Sequence, residues 1–424
     1  PNWAESPARG NGPALDAEKY LNSLEPIGWK LGLERMELLS DELGRPQDRF
    51  ESVHVVGTNG KSSVTRMTSA LLTAHGRRSG CSVSPHLHRW SERVLIDGEE
   101  IGAEAFSSAV ETVAAAAGRV NERLEGDERV TQFEVATAAS FLALADAGVE
   151  VAVIEAGLGG RLDATNSIES KVTILTSIGL DHTEWLGGTE AEIAAEKLAV
   201  LRPGTCLVIG ELSTAVQDLA RRTATGLGAR VVMTEFSRVD EVPMATEGDF
   251  QRRNFAIALT ATEVLVGEVS EEKLERVAAG IIIPARLERV ADGPAVFVDV
   301  AHNRPGAAAL ADSVPAVADD RPVIACLGIL ADKDGPGMLE ELAPVLDHLI
   351  LVDLPDSVLK GRARPGATAF DSATLMESAL ELGLDCELAA DAADALPRAR
   401  ELAVERDGIV LIAGSHYLVD AMGL

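Results

Sequence analysis

Apolar and polar positions alternate along this chain in blocks rather than in single steps. Short runs of β-branched and other apolar residues recur at Val53–Val56, Val149–Ile154, Val172–Ile178, Cys206–Ile209, Val296–Val300, Val323–Leu327, Leu349–Val352 and Ile409–Ile412. Between them lie longer Ala/Leu-rich stretches with helical spacing, among them Ser62–His75, Gln132–Ala145, Glu190–Val200, Phe250–Leu265, Glu271–Ala279 and Ser372–Leu382. Continuous apolar runs mark strands buried on both faces, and strands alternating with helices predict parallel sheets in an α/β protein. Glu92–Ile101 departs from this pattern, because Asp97-Gly98 between two alternating stretches predicts a β-hairpin. So many central strands with this much helix exceed one compact core, and the break is expected near Pro284–Pro294. The expectation is a larger N-terminal α/β domain over residues 1–287 and a smaller C-terminal one over 288–424. Residues 1–18 lack periodicity and read as a loose lead-in, and Gly361–Thr368 reads as an exposed Pro/Gly loop.

Composition narrows the class. The chain has 424 residues, and at roughly 100–200 residues per domain that predicts two or three. With 46% hydrophobic and 25% charged residues it is an ordinary globular chain. The four cysteines are far apart, without a C-x-x-C pair, and read as small buried hydrophobes in a reducing compartment. No apolar run reaches the roughly 18 residues of a membrane span. A soluble cytoplasmic protein without a membrane partner is expected. The 67 acidic residues outnumber 38 basic ones, for a net charge of −29. Such a surface repels nucleic-acid phosphates, and any anionic small molecule needs a locally positive pocket.

That pocket has a candidate. Val53–Val56 runs into Gly57-Thr58-Asn59-Gly60-Lys61-Ser62-Ser63 and then a helix. A strand, a glycine loop and a helix N-terminus present backbone N–H groups and a dipole to an anion, and Lys61 reaches the β/γ-phosphates. The common G-x-x-x-x-G-K form would need Gly at position 55, where Val55 stands, so this is a shorter loop. Mononucleotide binding is expected. Glu155 ends another strand run, and Asp181-His182 follow a third; strand ends of this kind are where open α/β sheets bind ligands and could supply Mg²⁺. From chemistry alone, His182 reads as a structural hydrogen-bonder, since imidazole suits softer metals. Lys197, alone on an Ala/Leu-rich helix, reads as solvated. Asp299 and His302 in V-D-V-A-H-N, and Ser415 in A-G-S-H-Y, again follow strand runs.

At this point the sequence resembles the dihydrofolate synthase/folylpolyglutamate synthase branch of the Mur-type ATP-dependent amide ligases. The matching segments include HVVGTNGKSS (54–63), SPHLHRWSERVLIDGEEI (84–101), TQFEVATAASF (131–141), VIEAGLGGRLDATN (153–166), TSIGLDHTEWLG (176–187), PARLERV (284–290), FVDVAHNRPGA (297–307), GILADKD (328–334) and AGSHYL (413–418), in family order. The resemblance implies a P-loop ATPase domain joined to a Rossmann-like domain, with the active site between them. ATP would convert a carboxylate to an acyl phosphate, and the amine of L-glutamate would attack it. Ser84 and Glu155 would hold the Mg²⁺ that bridges the ATP phosphates, and Glu155 and His182 a second Mg²⁺. Lys197 would be the carbamylated lysine of the family, and Lys61, His182 and Lys197 would form the catalytic set. Asn254, Arg286 and Asp299 would contact the nucleotide, Asp299 alternatively the incoming amino acid. His302 and Ser415 would lie at the glutamate site, and Thr131, Phe133 and Asp163 at the pterin site. The implied partners are ATP, L-glutamate and dihydropteroate or folate, in a monomer; a monofunctional folylpolyglutamate synthase and a non-catalytic nucleotide-binding paralogue are the alternatives. Three residues depart from the family pattern: Ser62 and Ala285 stand where glycine is usual, and Phe250 where histidine is.

Overall fold

The computed structural model describes residues 15–24, 32–359 and 366–424. Most of the lead-in and most of the loop expected over 361–368 lie outside these residues. Ala17 and Glu18, expected in the lead-in, instead begin the helix Ala17–Ser23, capped by the Asp16 side chain.

Two sheets organise the chain. The first contains β1 (Glu51–Val56), β2 (Ser79–Ser82), β3 (Val94–Ile96), β4 (Glu99–Glu100), β5 (Val151–Glu155), β6 (Ser170–Leu175), β7 (Cys206–Ile209) and β8 (Arg230–Met233). Their spatial order is β4-β3-β2-β5-β1-β6-β7-β8. All neighbours are parallel except β2–β3 and β3–β4, the latter being the expected hairpin. The second sheet contains β9 (Arg286–Ala291), β10 (Val296–Asp299), β11 (Val323–Leu327), β12 (His348–Leu351), β13 (Cys386–Leu388) and β14 (Ile409–Ala413), in the order β13-β12-β11-β14-β10-β9. Only β9 runs antiparallel.

The apolar runs became central strands because helices cover both faces of each sheet. In β5, Ala152 and Ile154 pack with the helices Ala103–Asn121 and Gln132–Asp146, while Val151 and Val153 face Lys61–Ala74 and Asp249–Val266. In the second sheet, Phe297 and Leu411 face one helical layer and Val298 and Ile412 the other. Four strands escaped the sequence reading. β2 is short and carries Gly80, whose backbone lies so close to Leu144 and the Leu95 carbonyl that a Cβ would collide. β8 and β13 are only partly buried, and β9 carries Arg286, Glu288 and Arg289. The boundary expected after residue 287 falls inside β9, which pairs with β10 of the second sheet. Phe250 explains one departure in packing terms: it lies at the start of the helix Asp249–Val266 and packs against the core of the second sheet.

Candidate active site

The glycine loop is shaped by what touches it. A Cβ on Gly57 would run into Thr176 at the end of β6, and one on Gly60 would run into the Asn254 side chain. Gly60 also has φ 82° and caps the helix Lys61–Ala74, a conformation that glycine adopts freely. The Asn59 amide donates to Ser177 Oγ at 2.9 Å, and the Thr58 hydroxyl to the Gly179 carbonyl at 3.1 Å. Lys61 Nζ folds back to donate to the Thr58 carbonyl at 3.0 Å. Burial pushes its pKa down, opposed by Glu155 and Asp181.

Glu155 ends β5 with 3% exposure. Its Oε1 accepts from the Ser62 hydroxyl at 2.9 Å and its Oε2 from the Ser84 backbone N–H at 2.9 Å. Burial raises its pKa, against the pull of Lys61. A buried carboxylate met by one hydroxyl and one backbone amide, beside a glycine loop, fits a hard cation that takes oxygen ligands and keeps waters. Among the described residues no group of three or more His, Cys, Asp or Glu stands ready to hold a metal ion by itself.

Asp181 holds the two halves of the site together. Its Oδ1 accepts from Lys333 Nζ at 2.7 Å, and its Oδ2 from Asn303 Nδ2 at 2.9 Å with His302 Nε2 at 3.5 Å. Burial alone would raise the Asp181 pKa, but His302, His182 and Lys333 outweigh it and hold the group well below the usual carboxylate range. Asn303 also exchanges two amide hydrogen bonds with Asn59, at 3.0 and 3.1 Å. The glycine loop is therefore tied directly to the second unit. His182, at φ 50°, heads the short helix Thr183–Leu186. Burial lowers its pKa to about 4, more than Asp181 restores, so its imidazole is neutral and keeps a lone pair for a cation.

Lys197 is not solvated. It is 4% exposed on the helix Glu190–Leu198, against which Gly160 packs so closely that a Cβ would meet the Lys197 carbonyl. Burial, with Lys61 adding to it, lowers its pKa to about 7.

Arg286 and Asp299 are register partners on β9 and β10. Asp299 accepts from the Leu287 and Ala301 amides at 2.8 and 2.7 Å, which fixes the crossing of the chain between the two units. Ala285 has φ 50°, the left-handed region where the usual glycine would rest without strain. Across the cleft, Thr131 caps the helix Gln132–Asp146 in a capping box with Glu134, and a buried ion pair to Arg35, at 3.0 Å, anchors Glu134. The far end of the Phe133 ring reaches Gly157, where a Cβ would meet it. Asp163 accepts from the Leu158 amide at 2.7 Å and from Thr165, and burial raises its pKa. Ser415 caps the final helix, His416–Ala421.

Every candidate residue named from the sequence lines one cleft of about 850 Å³ between the two sheets. The sequence reading gave no role to Lys333, Asn303 or the Arg35–Glu134 pair. Lys333 and Asn303 lay inside quoted segments, but only the tertiary structure places them against Asp181. Arg35 left no signal in the sequence.

A glycine loop before a helix N-terminus and a buried carboxylate on one wall, facing a second α/β unit across a cleft, are the arrangement of a nucleotide-dependent ligase of the Mur type. Residues 285–416 match the model of the Mur ligase glutamate ligase domain. The chain is 35% identical to the dihydrofolate synthase/folylpolyglutamate synthase of Mycobacterium tuberculosis, over 75% of this chain and 73% of that protein. It is 32% identical to the folylpolyglutamate synthase of Lacticaseibacillus casei, over 95% and 96%. The solved Escherichia coli FolC complex with DHPP and ADP superposes with TM-score 0.81 at 29% identity, covering 97% of this chain and 96% of that one. The Yersinia pestis bifunctional folylpolyglutamate synthase/dihydrofolate synthase with AMPPNP and Mn ion superposes with TM-score 0.79 at 29% identity, covering 95% of each. The chain belongs to the dihydrofolate synthase/folylpolyglutamate synthase family, and it is an ATP-dependent ligase.

Proposed function

We propose that one cleft joins L-glutamate to dihydropteroate, giving dihydrofolate, and to reduced folates, giving folylpolyglutamates. The observation that carries this reading is the convergence on one cavity of the phosphate loop, Glu155, the Thr131–Phe133–Asp163 pocket and the second unit's His302 and Ser415. Residues 1–287 would bind nucleotide and acceptor, and residues 288–424 would present glutamate.

The chemistry follows from placement. Lys61 leaves the Thr58 carbonyl to neutralise charge developing on the transferred phosphoryl group, and the loop N–H groups hold the phosphates in line. Asn254, packed on Gly60, and Arg286 line the same cleft and would contact those phosphates. Glu155 with Ser84 would hold one Mg²⁺, and Glu155 with His182 a second; bound there, the cations screen repulsion between the phosphates and the acceptor carboxylate. Phe133 offers a ring face to a pterin, and Asp163 a buried carboxylate to its polar edge. The acceptor carboxylate takes the γ-phosphoryl group of ATP, and the glutamate amine displaces phosphate from the acyl phosphate. Closure of the cleft keeps water from competing for that intermediate. Carbamylation of Lys197 would turn a buried, easily deprotonated amine into an anion able to face His182 and its cation. A monomer working in the cytoplasm completes the proposal; among the described residues no helix is long and apolar enough to cross a membrane.

The test is a paired assay of the purified protein with dihydropteroate and with a reduced folate, resolving product lengths. ADP release should require both an acceptor and L-glutamate. Extension of the folate with no product from dihydropteroate would reduce the assignment to folylpolyglutamate synthase alone. ADP release without an acceptor would overturn it.

A further inference from the structure

We infer that Ser62 is itself a ligand of the divalent cation at Glu155, so that serines from two separate elements flank that carboxylate. The inference rests on the ATP–cation reading of this site. Ser62 is the second residue of the helix Lys61–Ala74 and directly follows the loop lysine. In phosphate loops generally, a Ser or Thr next to that lysine reaches the cation while the lysine reaches the phosphates. Here the loop is shortened, yet the Lys61-Ser62 ending is kept.

The geometry agrees. Ser62 Oγ lies 2.9 Å from Glu155 Oε1, and 3.5 Å from the carbonyl of Ser84, the other serine of the site. Two oxygens bound cis on Mg²⁺ at about 2.0–2.1 Å are about 2.9 Å apart. Ser62 and Glu155 therefore already stand one octahedral edge apart, and a cation needs only to displace the hydroxyl proton from the carboxylate. No backbone movement is required. The Ser63 hydroxyl is buried and makes no hydrogen bond among the described residues, so it does not compete for Glu155. A serine that merely positioned Glu155 would hydrogen-bond it at the same distance, and the two roles separate by chemistry rather than by geometry.

The experiment uses the full chain with the non-hydrolysable nucleotide AMPPNP, without acceptor, and follows Mn²⁺ binding by the EPR signal of the free ion. Ser62→Ala should weaken nucleotide-dependent Mn²⁺ binding by roughly tenfold, while Ser62→Thr, which keeps the hydroxyl, should stay within about twofold of the parent. Ser62→Cys should move the preference from Mn²⁺ toward Cd²⁺ by at least about tenfold, because thiolates select soft ions. Circular dichroism confirms that each variant is folded. Unchanged Mn²⁺ binding in Ser62→Ala overturns the inference. So does a Ser62→Cys variant with no gain for Cd²⁺, which would reduce Ser62 to positioning Glu155. A parent protein that shows no nucleotide-dependent Mn²⁺ binding would remove the cation reading of Glu155 itself, and this inference with it.

Discussion

Lys333 reaches from the second unit to place its ammonium 2.7 Å from Asp181 Oδ1 in the first, with both side chains less than a tenth exposed. Removing one partner leaves the other charge buried without its counter-ion, a change that typically costs about 3–5 kcal/mol. Lys333→Met and Asp181→Asn should each lower thermal stability and kcat. The double variant should lose less than the sum, with a coupling of at least about 1.5 kcal/mol. Additive losses in chemical denaturation would mean that the pair does not link the units.

Lys61 holds the Thr58 carbonyl at 3.0 Å until phosphate is available. A charge-assisted hydrogen bond contributes about 1.5–3 kcal/mol, so Lys61→Ala should weaken ATP binding about 10- to 150-fold in calorimetry. Full ligase activity in that variant would dismiss the loop as the nucleotide site.

Burial lowers the Lys197 pKa to about 7 from an ordinary 10.5. The charged amine therefore disfavours the folded state. That penalty is complete below about pH 7 and fades as pH rises toward the ordinary value. Only the neutral amine adds CO₂, so carbamate should increase between pH 6 and 8. With ¹³C-bicarbonate, an NMR carbamate signal absent in Lys197→Arg is expected, together with a higher Tm when bicarbonate is present at pH 8. A protein fully active with CO₂ excluded would argue against a carbamate role.

Gly157 lies against the far end of the Phe133 ring, and a methyl group there would collide with the ring atoms. Phe133 must then shift from its place beside the cleft. Gly157→Ala should raise KM for the pterin or folate acceptor about tenfold and leave the ATP Kd within about twofold, a split of roughly 1.4 kcal/mol confined to one substrate. Equal losses for ATP would show that the substitution had disturbed the whole cleft.

ATP, L-glutamate and the acceptors are anions approaching a chain of net charge −29. Salt screens exposed charges beyond about 8–10 Å while screening the half-buried Lys61 and Arg286 less. Apparent KM for the anionic substrates should therefore fall as ionic strength rises from low values. A steady rise would mean that local attraction at the cleft mouth outweighs the global field.

The sequence by itself determined the element types and the walls of the site. Fully apolar runs such as Cys206–Ile209 and Val323–Leu327 can only be buried on both faces, so they formed central parallel strands with the bounds expected. The glycine loop was legible because Gly57 and Gly60 sit between a strand and a helix whose periods change at that point. The edge strands β8 and β13 were not legible: they are half-exposed, so no apolar pattern was needed to form them. Tertiary structure decided what polar residues meet. Lys197 looked solvated because helical period records only its neighbours on one helix, whereas its burial comes from the Gly160 loop and the cleft behind it. Asp181, Asn303 and Lys333 are far apart in the chain, and only the docking of two sheets makes them partners. Ion pairing acts through space at a few ångströms, and no local pattern in the sequence records which distant strand ends will share that space.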